Sequence, residues 1–144
     1  KDRAAEKRVQ IHAELAEDLP MLWMDATQMQ QVFLNVFSNA LESMEPGGRI
    51  TVTTRPAAAG VEVEIHNTGS CIPPAELTTI FEPFVTNKEG GTGLGLAICQ
   101  KILQDHNGTI SAKSSRAEGT SFIIALPAGL EGGPAPPRDH RMTY

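Results

Sequence analysis

Cysteine is scarce in this chain of 144 residues: only Cys71 and Cys99 occur. They form no metal-ligand spacing and no disulfide framework, so a reducing cytoplasm is the expected setting. Basic residues are outnumbered, 12 against 17 acidic ones, for a net charge of −5. Lysine and arginine are also scattered, which excludes a basic nucleic-acid surface. No apolar run approaches the ~20 residues that a bilayer crossing requires, so no membrane insertion is expected of this segment. A GxxxxGK[ST] phosphate loop is missing, and GxGxxG is incomplete because Leu96 stands where a third glycine would be needed. The first residues, Lys1-Asp2-Arg3, hold neither an initiator methionine nor a signal peptide. The expectation is a piece of a longer protein, and at this length a single domain.

What the chain does contain is a glycine-rich run, Gly90-Gly91-Thr92-Gly93-Leu94-Gly95-Leu96-Ala97. Alternating glycines remove Cβ atoms, so backbone N–H groups can approach an anion closely. The apolar-periodic segment behind the run, through Ile98, Ile102 and Leu103 to Asn107-Gly108, reads as a helix. Its dipole would aim positive charge at the same point. Together these make a phosphate cradle; a flexible loop is the plainer alternative.

The other elements follow in order. Residues 1–8 read as the end of an upstream helix or a linker, and Val9 to Leu15 as a half-buried strand with His12 on its solvent phase. Met21 to Met24 reads as a second, edge strand. Asp25 is placed as an N-cap with Gln28 completing a capping-box-like pair. Behind it Met29, Val32, Phe33, Val36, Phe37, Ala40, Leu41 and Met44 trace one helix face up to Pro46-Gly47-Gly48. Asn35 and Asn39 lie one turn apart beside that stripe. Asparagine is a poor helix former, so the pair needs a reason: a shared ligand, or bonds to neighbouring loops.

Arg49–Arg55 and Val61–Asn67 are strands joined by a turn over Pro56 to Gly60. The second runs straight into Thr68-Gly69-Ser70-Cys71-Ile72, a strand-end glycine turn of the kind that presents groups to ligands. His66 just before it is read as packing on the strand. A short helical turn from Pro74 to Phe81 leads into Glu82-Pro83-Phe84-Val85-Thr86-Asn87-Lys88. Lys88 could swing over a phosphate or simply be solvated. Thr109–Ser115 and Gly119–Leu126 read as two closing strands. Residues 127–144, rich in proline and glycine, are expected to be a disordered tail. The simplest architecture is one mixed sheet covered on one face by helices.

These stretches together resemble the catalytic and ATP-binding domain of bacterial sensor histidine kinases, within the GHKL group of ATPases and kinases. Gln31 to Ala40 resembles the N box, Asn67 to Ile72 the first glycine box and Phe81-Glu82-Pro83-Phe84 the F box. Gly91 to Leu96 resembles the second glycine box, and Gly119-Thr120 the last short motif. The resemblance covers residues 9–126. It implies an α+β fold, a two-layer α/β sandwich of the Bergerat type, with a mixed sheet of about five strands covered on one face by three helices. It implies ATP and Mg²⁺ as cofactors, with residues ~82–93 forming a lid. Asn39 would ligate Mg²⁺ through its amide oxygen, a hard donor that suffices beside phosphate oxygens. Asn35 would sit near the phosphates. Lys88, Thr92 and the backbone of Gly93, Leu94, Gly95 and Leu96 would hold the phosphate chain. Asn67, Gly69, Ile72 and Thr120 would line the adenine pocket. SNALESM and the Glu-Pro-Phe lid start are most like the nitrogen-regulator branch.

The sequence departs from the family pattern in places. Asn67 replaces the usual Asp that accepts from the adenine amino group, Cys71 replaces a glycine, and Glu42 stands where a basic residue is common. Asn35 stands where hydrolysing relatives carry a glutamate base, and an amide cannot take a proton. The implied activity is that of a protein-histidine kinase in two-component signalling: γ-phosphoryl transfer from ATP to a histidine. None of His12, His66, His106 or His140 has the acceptor's context. The acceptor is therefore expected on an upstream dimerisation domain, and the chain alone is not expected to phosphorylate itself. A response regulator is the implied downstream partner of the full-length kinase. The alternative is a degenerate nucleotide-binding module with a regulatory or interaction role.

Overall fold

The computed structural model describes residues 8–20, 22, 24–58, 60–69, 72–77, 79–82 and 95–128. The expected lid beyond Glu82, the expected tail beyond Ala128 and Cys71 lie outside the described residues, as does the N-terminal segment up to residue 7. So do Lys88, Thr92, Gly93 and Leu94. Pro127, expected in that tail, belongs instead to the last strand.

Five strands form one mixed sheet: β1 (Gln10–Glu14), β2 (Arg49–Ala57), β3 (Gly60–Asn67), β4 (Thr109–Ser115) and β5 (Gly119–Pro127), in the order β1-β2-β3-β5-β4. β1 runs parallel to β2, which requires the long crossover that α1 (Ala26–Ser43) supplies. The remaining pairs are antiparallel. Two further helices, α2 (Pro74–Leu77) and α3 (Gly95–Asp105), lie between β3 and β4 in the chain. The expected α+β sandwich is the observed fold.

Period-two alternation decides which face is buried. Ile50 and Val52 of β2, Val61, Val63 and Ile65 of β3, Ile110 of β4 and Phe122, Ile124 and Leu126 of β5 belong to a single core with the helices. From above, α1 adds Met29, Val32, Val36, Ala40 and Leu41, and α3 adds Leu96, Cys99, Ile102 and Leu103. Phe81 meets Phe122 edge to face with ring centroids 6.4 Å apart. The opposite phase is polar. There Arg55 bonds Glu62 and Glu64, each at 3.0 Å, and the Ser121 hydroxyl donates to Glu64 at 2.7 Å.

Helix ends follow their sequence signals. Asp25 caps α1 by accepting from the Gln28 amide at 3.0 Å. At the other end of α3, Asn107 takes φ +61° while its N–H bonds the Gln104 carbonyl, and the Gly108 N–H bonds Leu103. That double bond pattern closes the helix with an asparagine in the left-handed position.

Three further expectations are corrected. β1, expected to be half-buried, has all five of its residues exposed: it is an edge strand, and among the described residues no helix covers it. The apolar stretch at 21–24 is not a sheet strand: Leu22 makes only an isolated bridge, and Leu22 and Met24 are instead core residues beneath α1. β2 also continues through Pro56 to pair Ala57 with Gly60, which leaves a tighter turn than expected. Proline is tolerated there because β1 pairs only as far as Thr53, so Pro56 lies on an open edge.

Candidate nucleotide-binding site

The expected site residues that are described gather in two places. The first is where α1 meets α3. Asn35, half-buried on α1, donates its Nδ2 to the Gly95 carbonyl at 3.3 Å. This pins the start of α3, and with it the end of the glycine run, against the N-box helix. Asn39 follows one turn later on α1 and is likewise half-buried. The first turn of α3 carries no acidic side chain, so no carboxylate of that turn opposes an anion at its positive end. Leu96 has its side chain in the core; only its backbone could serve a phosphate.

Cys99, one turn into α3, is fully buried, and its thiol donates to the Val32 carbonyl at 3.6 Å. Burial pushes this thiol up to about 11, with the Asn35 amide pulling weakly the other way. It is a packing residue that holds α3 on α1.

The second gathering is at one end of the sheet. Asn67 ends β3 fully buried, and its Nδ2 donates to the Thr68 carbonyl at 3.2 Å. Directly across the strands lies Thr120 of β5, only 2% exposed. Gly119 precedes it at φ +88°, and a Cβ there would fall 2.2 Å from the Asn67 carbonyl oxygen. Only glycine fits this approach. The first glycine box is anchored by Thr68. Its N–H donates to the Arg49 carbonyl, and its hydroxyl accepts from the Arg49 N–H, both at 3.0 Å. Gly69 then turns outward at φ +80°, exposed. Ile72 packs on the core, and its N–H donates to the Ser114 hydroxyl at 2.8 Å. Ser114 in turn lies 2.8 Å from the Thr120 hydroxyl.

Of the expected site residues, the structure thus joins Asn35 with Gly95, and Asn67 with Thr120 and, through Ser114, with Ile72. Reading the sequence missed Ser114. Its signal was present: it shares the inward phase of Ile110 and Ala112, where a polar residue needs a partner. His106 was also missed. It is buried at the end of α3, with Nδ1 bonded to the Ile102 carbonyl at 2.8 Å and Nε2 accepting the Asp25 N–H at 2.9 Å. One imidazole thereby ties the end of α3 to the start of α1. His12 is exposed and bonded to Glu14, as expected, whereas His66 bonds the Glu118 carbonyl in the β4–β5 turn.

The profile of the histidine kinase-, DNA gyrase B- and HSP90-like ATPases matches residues 24–130. The chain belongs to this ATPase family. Among its relatives, the sensor histidine kinase ZraS of Escherichia coli K12 is 34% identical over 127 residues, 88% of this chain and 27% of ZraS. The catalytic domain of histidine kinase ThkA, solved without nucleotide, has a TM-score of 0.78 and 34% identity, covering 88% of this chain and 83% of that one. ThkA solved with the response regulator TrrA has a TM-score of 0.76 and 30% identity over 90% of this chain and 37% of that one. The chain spans 16 to 27% of the length of the curated relatives it matches first. It thus resembles histidine kinases in sequence and their catalytic domains in fold.

Proposed function

We propose that this chain is the ATP-binding catalytic domain of a sensor histidine kinase, spanning residues 9–126, which donates the γ-phosphoryl of ATP to a histidine on an upstream dimerisation domain. The observation that carries this is the bond from Asn35 to the Gly95 carbonyl, which sets the Asn35 amide beside the end of the glycine run. Asn35 donates in that bond, and an amide offers no base to activate water. Transfer to an acceptor supplied from outside is therefore favoured over hydrolysis. Asn67, Ile72 and Thr120 would receive the adenine, and Gly93 to Leu96 with Lys88 and Thr92 the phosphates. Gly69 shapes the turn between them.

The donor chemistry fits magnesium held jointly with the nucleotide. Among the described residues no group of three acidic, histidine or cysteine side chains could hold a metal alone. Asn39 would give its amide oxygen, and the ion, when bound, neutralises charge on the transferring phosphoryl group. A response regulator would be the downstream partner; ThkA solved with TrrA supports that direction. Residues 38–44 and the Glu82-Pro83-Phe84 start of the lid support a place in the nitrogen-regulator branch. No described helix is long and apolar enough to cross a membrane; a cytoplasmic location is part of the proposal.

Incubation with γ-labelled ATP tests the reading, with the chain alone and then with the phosphoacceptor segment encoded upstream of it. Label is expected on the acceptor only. Label on this chain itself, or rapid phosphate release without any acceptor, would contradict it.

A further inference from the structure

We propose that Ser114 of β4 is a positioning residue that sets the base preference of the pocket, by orienting the Thr120 hydroxyl and holding the Ile72 backbone in place. This rests on the nucleotide-binding reading above and assigns a role to a residue that none of the motifs includes.

The cross-strand rows of the sheet point to it. Val52, Ile65, Phe122 and Ala112 make one row of the inner face, and Thr54, Val63, Ile124 and Ile110 the next. At the end of the same face the row is Ile50, Asn67, Thr120 and Ser114. Three adjacent polar side chains thus end a largely apolar surface. Burying them costs free energy unless each is bonded. Ser114 does more than complete the row, because it reaches off the sheet to the Ile72 N–H at 2.8 Å. It therefore links the loop after Asn67 to Thr120, the two sides of the proposed base pocket.

A serine hydroxyl has one proton and two acceptor sites. The Ile72 N–H takes one acceptor site, which leaves the proton and the second lone pair to meet Thr120 Oγ1 at 2.8 Å. Either hydroxyl can donate in this pair; in the proposed arrangement Ser114 donates, which makes Thr120 a donor toward its other neighbours. Adenine presents a ring-nitrogen acceptor beside its amino donor, whereas guanine presents a ring N–H beside a carbonyl. Thr120 as donor, next to the Asn67 Oδ1 as acceptor, matches the adenine edge, and the Nδ2 bond to the Thr68 carbonyl holds the amide in that orientation. Without the hydroxyl at 114, Thr120 loses this orienting partner and the Ile72 amide loses this acceptor.

Ser114→Thr and Ser114→Val separate the hydroxyl from shape, since their side chains are nearly isosteric. Each variant and the parent chain would be titrated with ATP, GTP and inorganic triphosphate, with thermal melts alongside. Losing one or two net hydrogen bonds predicts that Ser114→Val lowers the ATP-to-GTP affinity ratio by about tenfold, while Ser114→Thr stays within about twofold. Triphosphate affinity is expected to be unchanged in both. An unchanged ratio in folded Ser114→Val would overturn the proposal. So would ATP and triphosphate weakening together, which marks general loosening, or a Thr variant that behaves like Val. Should Ser114→Val fail to fold, Ser114→Ala takes its place, with the same fall in the ratio expected and an unchanged ratio again overturning the proposal. A parent chain that binds triphosphate without preferring ATP would sink the specificity role alone. A parent chain that binds none of the three would sink the nucleotide reading itself.

Discussion

Asn67 concentrates the chemistry of the proposed base pocket in one residue. Its position is fully buried, and its nitrogen is committed to the Thr68 carbonyl. Replacing it with a carboxylate would strengthen the bond to an adenine amino group by ~1 kcal/mol, roughly fivefold in Kd. The same change buries a charge and sets a carboxylate oxygen against the Thr68 carbonyl, costing about 1–3 kcal/mol of stability. Asn67→Asp is therefore expected to bind ATP more tightly and melt earlier, read by titration and thermal unfolding; unchanged or weaker binding would contradict it. On the outer face, Glu64 sits below the ordinary carboxylate range, first because the Ser121 hydroxyl donates to it and then because Arg55 does. A depressed carboxyl contributes stability above its unfolded pKa and loses it as pH falls through the folded value. The advantage of the parent chain over Ser121→Ala should thus shrink steadily in urea melts taken from pH 7 down through the carboxylate range. A gap independent of pH would assign it to packing. At this scale the sequence showed the asparagines and glycines because their types are unusual for their positions. It could not show the bond from His106 to Asp25, since no local pattern links residues so far apart in the chain.

Elements were legible where one period ran uninterrupted. α1 followed its apolar stripe and its Asp25 cap, and α3 its Asn107-Gly108 close. Met21 to Met24 misled because a short apolar run looks the same whether it pairs in a sheet or packs under a helix. Leu22 and Met24 do the latter. The hairpin turn was drawn too wide because Pro56 usually ends pairing, and only the short reach of β1 explains why it does not here. Asp25 joins two elements. Its side chain caps α1, and its N–H meets His106 at the end of α3. Asp25→Ala should cost about 1 kcal/mol through the lost cap, whereas His106→Phe should loosen α3 and speed amide exchange in its last turn. Equal exchange rates in the two chains would refute that linkage.

Across the whole molecule, composition and motif order pointed to the fold class and the ATPase family, and the matching profile over residues 24–130 agrees. Strand order was beyond reach, because β3 beside β5 depends on a crossover whose course no local pattern encodes. The central claim is that the two gatherings, α1 with α3 and the polar end of the sheet, serve one nucleotide. Calorimetric titration of the chain with ATP, with and without Mg²⁺, tests this most directly when repeated on Asn39→Ala. Binding is predicted to strengthen with Mg²⁺ in the parent chain and to lose that strengthening in the variant. No binding at millimolar ATP by a folded sample, or Mg²⁺ dependence that survives in Asn39→Ala, would contradict it.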